Sequence, residues 1–385
     1  MTLSKKLIEK YNQRIKGTSI TIINMIKKNK IILVFAFICQ AICLTAQSIV
    51  QVSTYQNKIN EYSEKKYNGT LSAISINKNK TILAVSDNNG RIALINIQSD
   101  SVMRIIKAHD SNCNKLLFTG NNRFLISKSD DENDAWSIIH GSFEKIFRIF
   151  SNEAEIKIWD TNNWNLIWTI KPTRGNFTQL KNDPTGNFLI TINSFGDMEI
   201  WNLFSKEKES FLESVFVEKK KSGDLDLIDA GKDGRIVVVE NQKTFFLFNY
   251  GNGKINILKS FAAENEDYIG SVMFNDDQSL LVSTENYKTD KYNIKKINVN
   301  DLKTVNLWEK NRNNNVAIPI IIGTISNEFI CLIIESVYLI DIRNNKSRNY
   351  KIANSIYNQF SLIENDFFAT VNLNDISLWK IQNDN

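Results

Sequence analysis

One hydrophobic pattern recurs along this chain. In AEIKIWDTNNWNLIWTI, residues 154–170, apolar and polar positions alternate as far as Ile158-Trp159-Asp160. A polar turn follows, and alternation resumes from Asn165 to Ile170. Period-two alternation on both sides of a short turn predicts a half-buried antiparallel hairpin. Weaker copies recur from Thr70 onward, as apolar runs in sets of four. The first set covers residues 71–76, 81–87, 91–97 and 102–106, and the third covers 177–183, 188–194, 198–204 and 209–214. Pro184 and Gly186 suit the tight reversal between the first two runs of that third set. A last set has only three runs, at 356–363, 366–372 and 376–382.

Each third run carries one large residue: Ile95, Trp159, Trp201, Phe248, Ile297, Ile340 and Trp379. Their spacings are 64, 42, 47, 49, 43 and 39 residues. All but the first suit a four-stranded unit of about 40–50 residues. The fold class is therefore all-β, with seven four-stranded sheets. The missing strand of the last set is expected from residues 49–62, so that the two chain ends pair and no long edge is left open.

Several residues give this repeat a family likeness. Ile158-Trp159-Asp160 is a full Trp-Asp signature, while Ile200-Trp201-Asn202, Leu378-Trp379-Lys380 and Leu339-Ile340-Asp341 are partial ones. Lys107-Ala108-His109 resembles the Gly-His that opens a repeat. On these residues the chain resembles a WD-repeat β-propeller with degenerate repeats, of an exported bacterial type, over about 47–385. The resemblance implies a single seven-bladed propeller. It also implies a structural hydrogen-bonded network of His, strand Ser/Thr, turn Asp and Trp. His109, Ser127 and Trp159 match three of those positions, and Glu153 replaces the turn Asp. Asp160, Trp201 and Trp379 are further blade positions.

The 64-residue spacing marks an insertion at about 130–152, between the second and third strands of the second blade. In WD-type blades this connection lies on the face that carries most partner contacts. Within it Trp136, Ile139, Phe143, Phe147 and Phe150 recur at helical intervals. Such a stripe packs on its own propeller or meets a partner, and residues 145–150 also read as part of a β-hairpin. Trp136, His140, Phe143 and Arg148 are the candidate partner-binding residues.

The N-terminus changes the charge picture. Lys27, Lys28 and Lys30 precede an uncharged apolar run from Ile31 to Leu44, and Thr45-Ala46 supply small residues ahead of Gln47. This is the pattern of a secretory signal peptide over 1–46. Met25 opens it at the usual distance, which makes 1–24 a candidate mis-assigned start. The alternative is an uncleaved membrane anchor of about 20 residues. Removing 1–46 takes eight of 47 basic residues and one of 42 acidic ones, leaving 39 against 41. The basic balance of the whole chain is then no argument for nucleic-acid binding.

The chemistry-bearing residues are few. Two His, no CxxC and no paired His at helical spacing argue against zinc. Asp130, Glu132 and Asp134 alternate as calcium ligands do, but the Gly and the distal Glu of such loops are missing. No Gly-rich phosphate loop or nucleophile elbow occurs. Cys113 and Cys331 fall in separate predicted strands and read as free buried thiols. The expectation is a monomeric, cofactor-free interaction scaffold, periplasmic or at the cell surface, with a protein or peptide partner. The alternatives are a propeller hydrolase of lactonase type with channel carboxylates, or an anchored or intracellular scaffold.

Overall fold

A computed structural model describes residues 47–56, 70–129, 154–213, 225–264, 267–276, 278–312, 320–325, 328–333, 336–341, 346–351, 359–363, 367–371 and 375–383. The leader 1–46 and the insertion 130–152 lie outside the described residues, and with them Trp136, His140, Phe143 and Arg148. The chain divides into two compact units, Met1–Val50 with Ile381–Asn385, and Gln51–Lys380. In the first, the described residues are strand ends only; the second holds the sheets.

Strands β2 (Leu71–Ile76), β3 (Ile82–Asp87), β4 (Arg91–Asn96) and β5 (Ser101–Lys107) form an antiparallel sheet in chain order. The same holds for β6 (Cys113–Phe118), β7 (Phe124–Ser129), β8 (Ile156–Asp160) and β9 (Leu166–Ile170). It holds again for β10 (Phe177–Asn182), β11 (Phe188–Asn193), β12 (Met198–Asn202) and β13 (Glu207–Leu212). Next come β14 (Leu225–Ala230), β15 (Arg235–Glu240), β16 (Thr244–Gly251) and β17 (Lys254–Ala262). They are followed by β18 (Tyr268–Asp276), β19 (Ser279–Asn286), β20 (Lys291–Asn298) and β21 (Thr304–Asn311). The remaining consecutive set is β22 (Ile320–Ile325), β23 (Glu328–Ile333), β24 (Ser336–Asp341) and β25 (Lys346–Lys351). Strands β26 (Gln359–Ile363), β27 (Phe367–Val371) and β28 (Asp375–Asn383) share a sheet with β1 (Gln47–Gln56), which lies beside β28. The architecture is all-β and consistent with a β-propeller.

Burial explains why second strands read as near-continuous apolar runs and fourth strands do not. Every residue of β7 and β19 is buried, whereas β13 and β17 are largely exposed. A strand packed between two neighbouring sheets must be apolar on both faces; an outer strand needs only one. The cores lie between consecutive sheets. Leu94 and Ile92 of β4 meet Leu116 and Phe118 of β6, and Ile126 and Ile158 meet Leu180 and Leu189. Leu71 and Ile74 of β2 pack with Ala369 and Leu378.

The repeat is sharper in the backbone than in the side chains. Between each first and second strand, from β2–β3 to β22–β23, the register slips near the start of the first strand. A second slip falls just before Ile95, Trp159, Trp201 and Phe248, and before Lys295, two residues ahead of Ile297. Bulges of this kind raise the local twist of each sheet.

Turns repeat as well. Asn96, Asp160, Asn202 and Asn298 close the third strands, each with a side-chain oxygen accepting backbone N–H groups from the turn that follows. Four residues on, Asp100, Trp164, Lys206 and Leu302 all take φ of 52–61°. Asp160 thus serves its turn rather than the histidine network. Asn does the same work because either side chain mimics a backbone carbonyl.

Candidate functional site

The site is built from the joint where the loop ahead of a first strand meets the third strand of its own sheet. In the β6–β9 sheet, His109 is wholly buried four residues before β6. Its Nδ1 lies 3.3 Å from Glu155 Oε1 and its Nε2 lies 2.8 Å from Ser127 Oγ. Trp159 Nε1 donates to the same Ser127 oxygen at 2.9 Å. A carboxylate only accepts, so Nδ1 carries the proton and the serine hydroxyl donates to Nε2. Burial, and then the nearby Lys157 charge, hold His109 down at about 4 against the raising effect of Glu155. Lys157 Nζ ties the joint off, at 2.6 Å from Glu155 Oε1 and donating at 2.7 Å to Ala108 O.

Ser127, His109 and Trp159 therefore meet in one hydrogen-bonded set. Glu153 lies outside the described residues, and Glu155, four positions before Trp159, occupies the joint. Counting back from the Trp locates that acid, because Asp197 stands at the same distance from Trp201.

The neighbouring joint has other chemistry. Trp201 Nε1 donates at 2.9 Å to Thr191 Oγ1, in the positions of Trp159 and Ser127. No histidine is present; Arg174, from the loop before β10, donates to Asp197 through Nε at 2.6 Å and Nη2 at 2.7 Å. Asp197 is fully buried and also accepts from Asn193 Nδ2 at 2.8 Å. In the β18–β21 sheet the polarity is reversed. Asp267 comes from the loop and Lys295 from β20, 2.6 Å apart, with Asn286 Nδ2 donating to Asp267 at 2.7 Å. Trp379, the remaining blade position, is buried in β28.

Beside that last joint a polar cleft of about 720 Å³ opens, lined by Asp267, Asn286, Lys291, Asn293, Lys295 and Glu309 among others. At its rim Arg312 stacks over Tyr287, 4.4 Å to the ring centroid, and Tyr287 meets Tyr268 edge-on at 5.0 Å. Lys243 covers Tyr268 at 4.4 Å. Arg312 Nε is also 2.6 Å from the buried Glu285, so the stack is braced from below. Tyr287 is 52% exposed. Sequence reading passed over this ladder; its only signal was an aromatic residue in an otherwise polar turn, Asn286–Asp290.

Among the described residues no group of His, Cys, Asp and Glu is arranged to hold a metal ion, and no helix is long and apolar enough to cross a membrane. Cys113 is a free, buried thiol pushed up to about 12 by that burial, which makes it a packing residue rather than a nucleophile. The side chain of Cys331 is not among those described.

Comparison with known proteins agrees with this geometry. No family model matches the chain. Over 199 residues it is 21% identical to the WD repeat-containing protein 55 homologs of Drosophila erecta and Drosophila melanogaster, covering 45% of this chain and 40% of each relative. Over 110 residues it is 30% identical to the Retinoblastoma-binding protein 5 homolog of Drosophila melanogaster, covering 27% of this chain and 22% of that protein. The chain is similar to WD-repeat proteins. These matches span less than half the length of the relatives themselves.

Proposed function

We propose that this protein is a non-catalytic protein-interaction scaffold of the WD-like propeller type. In this reading seven blades form one ring, closed where β1 lies beside β28. The chain is exported to a bacterial cell envelope, and the joint end of its sheets meets a protein or peptide partner. The observation that carries the reading is the joint itself. Three of the sheets have a short polar tie that fixes the loop before the first strand, and in this reading that end is a rigid platform. The Tyr287–Arg312 stack and the adjoining cleft stand at this same end, as do the end of β7 and the start of β8. Exposed Tyr and Arg held in place by neighbours are the residue types that anchor interfaces. Resemblance to WD-repeat proteins supports a protein partner. The lysine-flanked apolar run before Ala46 supports export.

The test is capture and cross-linking of partners from an envelope extract, with wild type, Tyr287→Ala and a 130–152 deletion in parallel. A partner cross-linked beside Tyr287 and bound at least about tenfold more weakly by Tyr287→Ala supports the reading. A partner indifferent to both variants, or none at all, overturns it. N-terminal sequencing of the mature protein tests the export claim; the expected first residue is Gln47.

A further inference from the structure

One position just past the third strand is built alike in four sheets. There Ile97, Leu203, Tyr250 and Val299 each donate the backbone N–H, at 2.8–2.9 Å, to the turn between the first and second strands of the same sheet. Leu203 and Val299 are then buried between their own sheet and the preceding one, and Ile97 packs against such a core. In the β6–β9 sheet Thr161 makes the equivalent bond, and Trp164, three residues on, fills the core. Tyr250 departs from this. Strand β16 runs on to Gly251, which pairs with Lys254, and the chain reverses through Asn252 and Gly253 at φ of 52° and 71°. A two-residue reversal of this kind continues the strand twist, so Tyr250 stays within β16, half-buried. Its hydroxyl donates to Glu209 Oε2 of β13 at 3.0 Å, and its ring meets Phe188 edge-on at 5.4 Å.

In place of a filled core stands a cavity of about 320 Å³ between the β10–β13 and β14–β17 sheets, walled by Phe188, Ile190, Ile200, Ala230, Ile236 and Tyr250. An apolar cavity of about 150 Å³ holds a benzene-sized group, so this one has room for an aromatic side chain and the backbone beside it. The cavity lies at the opposite end of the sheets from the joints, because it opens beside the turns between first and second strands. Its rim is polar. Asp183 accepts the Thr185 and Phe188 N–H groups of its own turn, and Asp233 is paired with Arg235. Lys232, in the β14–β15 turn, is exposed and has no hydrogen bond or ion pair among the described residues. The charge left over at the rim is therefore positive, and it suits a carboxylate.

We propose that this cavity binds an aromatic side chain of a peptide partner, with an acidic neighbour in the peptide held by Lys232. The ring replaces the apolar group that the Leu203 and Val299 positions supply in their own sheets, and Phe188 and Tyr250 offer it aromatic walls. The proposal rests on the scaffold reading for a peptide as the ligand, but its site is a second one, at the other end of the sheets from Tyr287.

Selection of a seven-residue peptide display library on the full chain tests this, with the enriched peptide then titrated into wild type, Ala230→Leu and Lys232→Glu. The enriched peptides should carry an aromatic residue with Asp or Glu within about two positions, and should bind more weakly as salt rises. Ala230→Leu should lower the affinity at least about tenfold, because leucine occupies space the ring needs. Lys232→Glu, an exposed change, should lower it about threefold to tenfold and weaken the salt dependence. Lys296→Ala, which removes a lysine 3.4 Å from Asp276, should leave the affinity unchanged. Without ligand, Ala230→Leu should unfold at a temperature no lower than wild type, because its added carbons enter the cavity. A marked fall there, or a variant that does not fold, shows a packed position and overturns the cavity. No aromatic-acidic consensus, or equal binding by both variants, overturns the site. Self-association of wild type that Ala230→Leu abolishes puts a second copy in the cavity and overturns the peptide. A captured partner lost from Tyr287→Ala but bound alike by Ala230→Leu and Lys232→Glu sinks this inference and leaves the scaffold reading standing.

Discussion

The β6–β9 and β10–β13 sheets are neighbours that solve one mechanical problem with different groups. Both must fix the incoming loop against the third strand, and both have a Trp indole bonded to a hydroxyl on the second strand. In the first sheet the loop residue is a neutral, buried histidine; in the second it is a half-exposed arginine on a buried aspartate. The difference teaches that the joint is specified by position rather than by residue type. In these two sheets the loop supplies a donor and the residue four before the Trp an acceptor, while the β18–β21 joint reverses the two roles. Either chemistry satisfies buried polar atoms, which is the condition a packed joint has to meet.

Substitutions can break this equivalence. The largest effect should come from the indoles, since each fills a core between two sheets. Trp159→Ala and Trp201→Ala should each cost about 3–5 kcal/mol in denaturant unfolding. Near-equal losses support the equivalence, and a benign Trp201→Ala would break it. Next come the hydroxyls. Ser127→Ala strands two buried polar partners, the Trp159 indole and His109, and should cost about 2–3 kcal/mol; Thr191→Val strands only the Trp201 indole and should cost about 1 kcal/mol.

The two loop residues should then separate by salt. Arg174→Ala removes a partly exposed ion pair, so its destabilisation should shrink at high salt, whereas that of His109→Gln should not. The smallest effect concerns the turns. Lys206 holds φ of 60° without being glycine. Lys206→Gly should gain about 0.5 kcal/mol, as relief of the left-handed strain slightly exceeds the added freedom of the unfolded chain.

Much of this was legible in the sequence, for identifiable reasons. Runs such as Met198–Asn202 betray strands, and large residues like Trp159 and Trp201 mark the third strands, where each indole is buried in a core between two sheets. The His109–Ser127–Trp159 set was legible because the residue types are distinctive. The Arg174–Asp197 and Asp267–Lys295 joints were not, since charged pairs 23 and 28 positions apart look like ordinary surface charge until the chain folds them together. The Tyr268–Tyr287–Arg312 ladder was hidden for the same reason. Glu155 beside His109 was not singled out in the sequence, because a sequence motif counts positions while a hydrogen bond depends on which side of the strand a residue faces.

The most direct test of the joint is unfolding free energy against pH for wild type and His109→Gln. Folded wild type keeps His109 neutral down to about 4, while the unfolded chain takes up that proton near 6.5. Acid therefore favours unfolding: the stabilisation is whole above about 6.5, falls between there and 4, and is gone below, a loss on the order of 3 kcal/mol. His109→Gln lacks this component, so the two curves should converge as pH falls from 7 to 4. Curves that stay parallel through that window would contradict a neutral, buried histidine holding the joint.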